Sequence, residues 1–509
     1  MKRGLFFVLL PVLVLSAGRF FAEEETIVIG DQRELFVDDY LIAESQNAEI
    51  LLHQPRREEL TFVFDKPWEG DSQGYFTVME DEGLYRMYYR AGGQFPPAPG
   101  VFAYAESTDG IHWERVNLGI CEFNGSTENN IIMTQVADGG ACHDFNPFID
   151  KRPGVEPDAK YKAVGNSYFP NHQERNGLYA WKSADAIHWT LIQDTPVKQD
   201  APFDTQNVAF WSEKENCYVL FYRHFRNDLL DANVGIRIVM KAVSDDLIHW
   251  ENRGEIQFPE GEGSRKDAQL YTNQILPYYR APQLYLGFPA RYVDHGLTES
   301  TKHLPEWEER QRRMNVDLRE GTAVTDSAFI SSRDGIHFRQ GNDAFISPGL
   351  RTRHNWAYGD NYMALNMLET DSLEDDSGRE LSFFANESYA TLGDSRLRRY
   401  SLRIDGFSSL HAKSKTAAVT TKPLRFSGKE LSLNCSTSAA GTILVELLRA
   451  DGTVIPGFSA EDSDLIYGDS LDRRATWKGS ADLSAAGDEP IRIRFIMSEA
   501  DIYSLRFVP

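Results

Sequence analysis

The sequence predicts an all-β protein, built as a five-bladed β-propeller followed by a C-terminal β-sandwich. Three observations predict it. A seven-residue phrase, Ser-x-Asp-Gly-Ile-His-Trp, recurs along the chain. Each copy lies among short segments that are rich in β-branched and aromatic residues and bounded by Gly, Asp and Asn, which is typical of strands and tight turns. The phrase is absent beyond residue 415, although alternating strand patterns continue to the C-terminus.

The composition is that of a globular protein with a sizeable core. The 509 residues are 41% hydrophobic and 25% charged, and 12% are aromatic. Lys and Arg number 53 against 76 Asp and Glu, which gives a formal net charge of −23. Because phosphate backbones require clustered positive charge, this balance argues against a nucleic-acid partner.

The first residues, 1–22, are predicted to be a signal peptide. A charged start, Met1-Lys2-Arg3, precedes an apolar run over 5–15, as in secretory signals. No later apolar run is long enough to span a bilayer. We therefore expect a secreted or periplasmic mature protein without a membrane span; an uncleaved membrane anchor is the alternative.

The repeated phrase divides the propeller region, 23–414, into five units. The copies are 107–113 (STDGIHW), 183–189 (SADAIHW), 244–250 (SDDLIHW), 332–338 (SRDGIHF) and a degraded 403–407 (RIDGF). Each unit contains four predicted strands, which in the first unit are 74–79, 85–89, 101–106 and 113–116. Four short strands repeated five times predict five blades.

Two further segments of this region have predicted roles. Segment 23–55 is expected to supply a strand that closes the ring at the last blade, since an open ring would leave exposed edges. A charged insertion in the fourth blade, 292–326, contains the one candidate helix, 304–318. It either covers one side of a central pocket or is a decorative loop.

The aspartates of the repeated phrase are interpreted as structural. At each turn a short carboxylate, from Asp109, Asp185, Asp245 or Asp334, is expected to accept hydrogen bonds from backbone amides. The aromatic residue that follows is expected to pack between blades. A motif present in every blade is better explained by folding than by catalysis.

The last segment, 415–509, is predicted to be the β-sandwich. Its strand patterns are ILVEL at 443–447, IRIRFIM at 491–497 and YSLRF at 503–507, separated by Gly, Asp and Ser turns. The preceding residues, 412–421 (AKSKTAAVTT), have the composition of a linker.

Propeller topology predicts where a site would lie, because the openings of the innermost strands and the loops between second and third strands share one rim. Every opening carries an acid: Asp71, Asp144, Asp204, Asp267 and Asp360. His143 and Asn146 flank one of these acids, and the rim loops add Arg90, Arg223, His224, Arg226, Arg291 and Glu387. Carboxylates that converge on one pocket are what glycosidic bond cleavage requires.

On the repeated turn and these opening acids, the sequence resembles the five-bladed-propeller glycosidases of the arabinanase, levansucrase and invertase superfamily. The resemblance implies that Asp71 is the base or nucleophile and that Asp144 orients it. The acid would be Asp204, where the superfamily has Glu, so Asp267 and Glu387 are alternative acids. The invertase Asn-Asp-Pro signature is absent at the first acid, which argues against a fructan substrate.

The predicted function is therefore an exported glycoside hydrolase acting on a plant or algal polysaccharide or oligosaccharide. Arg223, His224 and Arg226 (YRHFR) are predicted to bind a carboxylate or sulfate of the substrate. A non-catalytic carbohydrate-binding propeller and a related glycoside phosphorylase are the alternatives. No cofactor motif and no metal-ligand set is predicted; the sequence leaves an axial calcium ion open.

Overall fold

The computed structural model describes residues 25–93, 100–226, 235–341, 343–373, 378–391 and 394–509. The chain forms two compact units. The larger is Leu52–Ser408, and the smaller combines Ser409–Pro509 with the chain before Leu52. The predicted signal peptide, 1–22, lies outside the described residues. Among the helices that are described, none is long and apolar enough to cross a membrane.

The larger unit confirms the all-β prediction, with six antiparallel sheets among the described residues, five of which follow one another along the chain. The first contains Gly74–Asp81, Leu84–Ala91, Val101–Ser107, Glu114–Arg115 and Ile131–Met133, and the second contains Ala141–Cys142, Asn146–Ile149, Tyr161–Tyr168, Gly177–Ser183 and Thr190–Leu191. The third contains Val208–Ser212, Cys217–Phe225, Arg237–Ser244 and Glu251–Glu255, and the fourth contains Leu276–Tyr278, Ala281–Gly287, Ile330–Ser332 and Phe338–Gln340. The fifth contains Leu368–Asp371, Arg379–Glu387, Arg396–Leu402 and Arg56–Val63.

The charged insertion belongs to the fourth part of this unit. A three-stranded sheet of Gln269–Leu270, Ala290–Asp294 and Ala323–Ser327 frames it. Between the last two strands lie the helices Glu299–Lys302, Trp307–Met314 and Leu318–Thr322. The middle helix falls within the predicted helix 304–318. The Asp317 side chain caps the last one by accepting a hydrogen bond from the Arg319 backbone N–H at 3.2 Å.

The strand that completes the fifth sheet differs from the prediction. Arg56–Val63 pairs antiparallel with Arg396–Leu402, placing Phe62 opposite Leu397. Segment 23–55 was expected to do this, but its strands pair within the smaller unit. The reason is burial, because the apolar side chains of the segment, including Ile29 and Phe36, are buried in the core of that unit.

The smaller unit contains a ten-stranded sheet among the described residues. Its two long strands, Glu430–Arg449 and Ile491–Val508, pair antiparallel along most of their length. The other strands are Ile27–Gly30, Glu34–Leu35, Ile42–Gln46, Ala48–Leu52, Ser408–Ala412, Ala417–Thr421, Leu424–Phe426 and Asp469–Arg474. The predicted linker, 412–421, is thus largely strand.

The repeated phrase has the predicted structural role. In the first copy, Asp109 Oδ1 accepts from the backbone N–H groups of Ile111 and His112, both at 2.8 Å. The same pattern holds at Asp185 and Asp334. In the third copy the carboxylate that accepts these bonds is Asp246, and the prediction of Asp245 was wrong. The aspartate of the turn stands two residues after the serine, which here is Ser244.

The aromatic residue that ends the phrase packs against the preceding sheet, as predicted. Trp189 contacts Tyr88 of the first sheet with ring centroids 6.4 Å apart. Phe338 contacts Phe221 of the third sheet at 6.2 Å. Trp113 contacts Phe384 of the fifth sheet at 5.8 Å, so the first and last sheets are also neighbours.

Candidate active site

A cavity of about 190 Å³ lies in the larger unit where the openings of the inner strands meet. Its lining is dominated by tyrosines and charged side chains. The lining residues are Gly74, Tyr75, Arg90, His143, Asp204, Tyr271, Arg319, Glu320, Tyr358, Tyr362 and Tyr389. Of the residues predicted from sequence, Arg90, His143 and Asp204 are in this set.

Asp204 is the carboxylate of this cavity that precedes the third sheet. Its side chain is 59% exposed and its Oδ1 lies 2.7 Å from His143 Nε2. Its Oδ2 lies 3.2 Å from Arg223 Nη2, on a guanidinium that is itself buried. Desolvation opposes ionisation of Asp204, but the charges of Arg223, His143 and Arg90 outweigh it and hold the pKa of this carboxyl well below its usual range.

Glu320 is the second carboxylate that lines the cavity, and the sequence analysis missed it. It lies on the short helix Leu318–Thr322 of the insertion, and its side chain is buried. Desolvation raises the pKa of Glu320 to about 7, although Arg319 opposes that shift. The signal that could have located it was the charged insertion, which the sequence placed at this rim without assigning it an acid.

The tyrosines form a continuous aromatic wall. Tyr271 lies 5.4 Å from Tyr362 and 5.8 Å from Tyr358, measured between ring centroids, and the Tyr358 hydroxyl donates to the Tyr271 hydroxyl at 2.8 Å. Tyr75, which also lines the cavity, has a backbone φ of 52°, a left-handed conformation that bulky residues rarely adopt. Flat aromatic faces with hydroxyl edges suit a sugar ring, which has apolar faces and polar edges.

Asp144 lies behind the wall of the cavity and is fully buried. It accepts hydrogen bonds from Asn207 Nδ2 at 2.9 Å, from the Asn166 backbone N–H at 2.7 Å and from Asn146 Nδ2 at 3.2 Å. Desolvation raises the pKa of Asp144 to about 8 despite these bonds, and the charge of Asp204 adds to the shift. Asn146 therefore contacts a buried carboxyl group.

Asp360 precedes the strand Leu368–Asp371 of the fifth sheet, as Asp144 precedes a strand of the second sheet. It is buried and accepts from the backbone N–H groups of Tyr389 at 2.9 Å and Ala357 at 3.0 Å. Desolvation raises the pKa of Asp360 to about 7. Because it fixes the backbone of Tyr389, which lines the cavity, its observed contacts are those of a supporting residue.

Besides Asp144, three other predicted catalytic acids are not among the lining residues. Asp71 is buried, and its backbone N–H donates to the Gly92 carbonyl at 3.0 Å. Asp267 has a side chain that is 76% exposed and pairs with Arg265 at 3.1 Å. Glu387 is held by two arginines, Arg57 at 2.8 Å and Arg398 at 2.7 Å.

Six predicted substrate-binding residues also lie outside the lining set: Asn146, Arg223 and Asp360, described above, and His224, Arg226 and Arg291. Arg226 pairs with Glu255 at 2.6 Å, and Arg291 pairs with Asp326 at the same distance. The His224 ring nitrogen Nδ1 lies 2.9 Å from the Phe225 carbonyl oxygen. Arg223 and His224 are neighbours on the strand Cys217–Phe225, so their side chains project to opposite faces of the sheet.

Among the described residues, no group of three or more His, Cys, Asp or Glu side chains is placed to hold a metal ion.

Comparison with known proteins gives distant matches to solved structures. No family model and no curated protein matches the chain. An N-acetylgalactosamine deacetylase from F. plautii, in complex with blood group B trisaccharide, matches with 11% identity and a TM-score of 0.41 over 69% of this chain and 94% of that one. A GH32 β-fructofuranosidase from Bombyx mori matches with 10% identity and a TM-score of 0.40 over 89% and 95%.

A third match is a family 43 arabinoxylan arabinofuranohydrolase from Bacillus subtilis, in complex with cellotetraose. It has 9% identity and a TM-score of 0.37 over 88% of this chain and 98% of that one. The matched structures thus include glycoside hydrolases, the class that the sequence resembles.

Proposed function

We propose that the protein is an exported glycoside hydrolase, with the five sheets of the larger unit as propeller blades and the smaller unit as a β-sandwich. Its substrate is a plant or algal polysaccharide or oligosaccharide. One observation carries the proposal: Asp204 and Glu320 line a single tyrosine-rich cavity, and their surroundings shift their pKa values in opposite directions.

Opposite shifts suit the two tasks of glycosidic bond cleavage. One carboxylic acid must protonate the leaving oxygen, while one carboxylate acts on the anomeric carbon or on its water. Glu320, with its pKa raised to about 7, keeps a protonated population at neutral pH and is the general acid. Asp204 stays ionised and is the base or nucleophile.

This assignment differs from the one that the resemblance implied, in which Asp204 is the acid. The reason is electrostatic, because Arg223 and His143 contact both oxygens of Asp204 and stabilise its charged form. A carboxyl group held in this way is a poor proton donor.

The size of the cavity favours attack at a chain end. At about 190 Å³ it is smaller than the roughly 300–1,000 Å³ of usual ligand pockets. A single sugar residue suits this space better than a segment of polymer does. The insertion contributes Arg319 and Glu320 to the lining, and cover on that side would also favour a terminal residue.

The proposal is tested by mass-spectrometric detection of sugars released from a panel of neutral and anionic polysaccharides. We expect Asp204→Asn and Glu320→Gln each to lower kcat by at least about 10²-fold, the usual contribution of a positioned acid or base. Asp267→Asn is the matched control, since this carboxylate is exposed and outside the cavity. Unchanged release by both cavity variants would contradict the proposal, and glycan binding by the parent without release would favour the carbohydrate-binding alternative.

A further inference from the structure

Two arginines, Arg90 and Arg319, line the cavity alongside the two carboxylates Asp204 and Glu320. On a protein with a net charge of −23, a small cavity with two arginines in its lining is unexpected from composition. Such a local concentration of guanidinium groups is a feature to be explained by what the cavity binds.

A second layer of arginines reinforces this charge. Arg223 contacts Asp204, as described above, and its guanidinium also lies 5.3 Å from the Tyr271 ring centroid. Arg237 is buried and lies 4.9 Å from the same ring. Asp204 and Glu320 are the lining carboxylates that face this positive charge.

Arg90 and Arg319 keep hydrogen-bonding capacity that the described residues leave unused. For Arg90, no carboxylate of the described chain lies within ion-pair distance, and its buried Nε lacks a hydrogen-bond partner there. Arg319 binds Asp317 through Nε at 3.0 Å and its Nη2 lies 3.8 Å from Glu320 Oε1, but its buried Nη1 has no partner among those residues. Buried donors without partners are costly, and a ligand that accepts from them removes that cost.

We infer that the substrate of this cavity is a sugar residue bearing a carboxylate or sulfate group, which Arg90 and Arg319 bind by charge-assisted hydrogen bonds. The planar guanidinium groups match either anion, whereas a neutral sugar offers only hydroxyls. The identification of the ligand as a sugar rests on the proposed function. The arginines that carry the inference differ from the predicted trio, of which none lines the cavity.

The test measures binding of the full-length protein to arrayed plant and algal oligosaccharides of three classes: uronate-containing, sulfated and neutral. Binding is measured at low temperature so that hydrolysis is slow. Inorganic phosphate is added as a competitor in a parallel arm. We expect the parent protein to bind one anionic class selectively. In Arg319→Gln the affinity for that class should fall by at least about tenfold, while the affinity for neutral sugars should change less than twofold. Arg90→Lys keeps the positive charge but not the planar guanidinium group, so it should lose less affinity for the anionic class than Arg90→Gln. Arg265→Gln, on an exposed arginine, is the matched control.

Each result either supports or contradicts an anionic sugar as the substrate. Selective binding of uronates or of sulfated sugars, lost in the Arg319 variant, supports the inference and identifies the anion. Binding of neutral glycans alone, equal loss for neutral and anionic glycans, binding of phosphate alone, or no binding by the folded parent overturns it. Hydrolysis is measured separately. Release of neutral sugars without anion selectivity would contradict this inference but not the proposed function. Anion-selective binding without hydrolysis would contradict the proposed function but not this inference.

Discussion

At the scale of residues, the protonation of Glu320 sets the pH range in which the cavity can act. Desolvation raises its pKa to about 7, while that of Asp204 is held low. A general acid works only when protonated, so activity should fall as the pH rises through about 7. On the acid side Asp204 remains ionised, so we expect a plateau through the weakly acidic range.

This pH dependence is checked with the profile of kcat against pH for the parent and for Arg319→Gln. The positive charge of Arg319 lowers the pKa of Glu320, so its removal should move the alkaline limb to higher pH. A limb that stays in place would contradict the role of Glu320 as the acid. The Arg265→Gln variant should leave the limb unchanged, because that side chain is exposed and paired with Asp267.

Residue positions were predictable only where the repeat fixed them. Asp204, His143 and Arg90 were found because they occupy repeated openings and rim loops, and all three line the cavity. Glu320 was not found, because an insertion has no repeat to align it with. Asp71 and Asp267 occupy equivalent openings, yet one is buried and the other exposed, which depends on loop packing that no spacing encodes.

At the scale of elements, the repeated turn offers an internal control in its third copy. Asp246 accepts backbone hydrogen bonds from Ile248 and His249, at 2.9 and 2.8 Å, whereas its neighbour Asp245 lies outside this pattern. We expect Asp246→Ala to lower the free energy of unfolding by about 1–2 kcal/mol, from two hydrogen bonds to a charged acceptor. Asp245→Ala should change it by less than about 0.5 kcal/mol.

Chemical denaturation of the two variants at several pH values measures this difference. The hydrogen bonds to Asp246 and the ring of His249 hold its pKa below the usual range, although desolvation opposes them. A carboxyl with a lowered folded-state pKa stabilises the fold above its unfolded pKa and loses that contribution as the pH falls. The gap between the variants should therefore shrink in acid; a gap that is absent at neutral pH would contradict the structural role of the turn.

The strands themselves could be predicted from sequence because their physical signal is local. Alternating aromatic and β-branched residues bounded by turn residues predicted the strands of the first sheet, such as Leu84–Ala91, which was predicted as 85–89. The strand Ala417–Thr421 falls in the predicted linker, because its small residues lack that signal. It pairs with Ile42–Gln46 and with Ile491–Val508, both distant in sequence.

At the scale of the whole molecule, the chain order hides which segments fold together. The smaller unit is built from both ends of the chain, and the larger unit lies between them in sequence. A sequence can show that an N-terminal segment needs a partner but not which sheet provides it. That choice is made by burial, which puts 27–52 with the C-terminal strands and leaves Arg56–Val63 for the fifth sheet.

Closure of the larger unit should therefore depend on Phe62, which belongs to the strand Arg56–Val63. Its ring is buried, lies 5.8 Å from that of Tyr89 in the first sheet, and has the Arg115 guanidinium 4.1 Å from its centroid. Phe62→Ala should lower the free energy of unfolding by about 3–5 kcal/mol, the usual cost of removing a buried aromatic side chain.

The matched control is the next residue, Val63, which is 41% exposed on the same strand. Val63→Ala should cost less than about 1 kcal/mol, because little apolar area leaves the core. Urea denaturation followed by tryptophan fluorescence measures both variants. Because Phe62 joins the first and last sheets of the larger unit, its loss should shift the unfolding of that unit as a whole. Equal effects of the two substitutions, or a change confined to the smaller unit, would contradict closure by this strand.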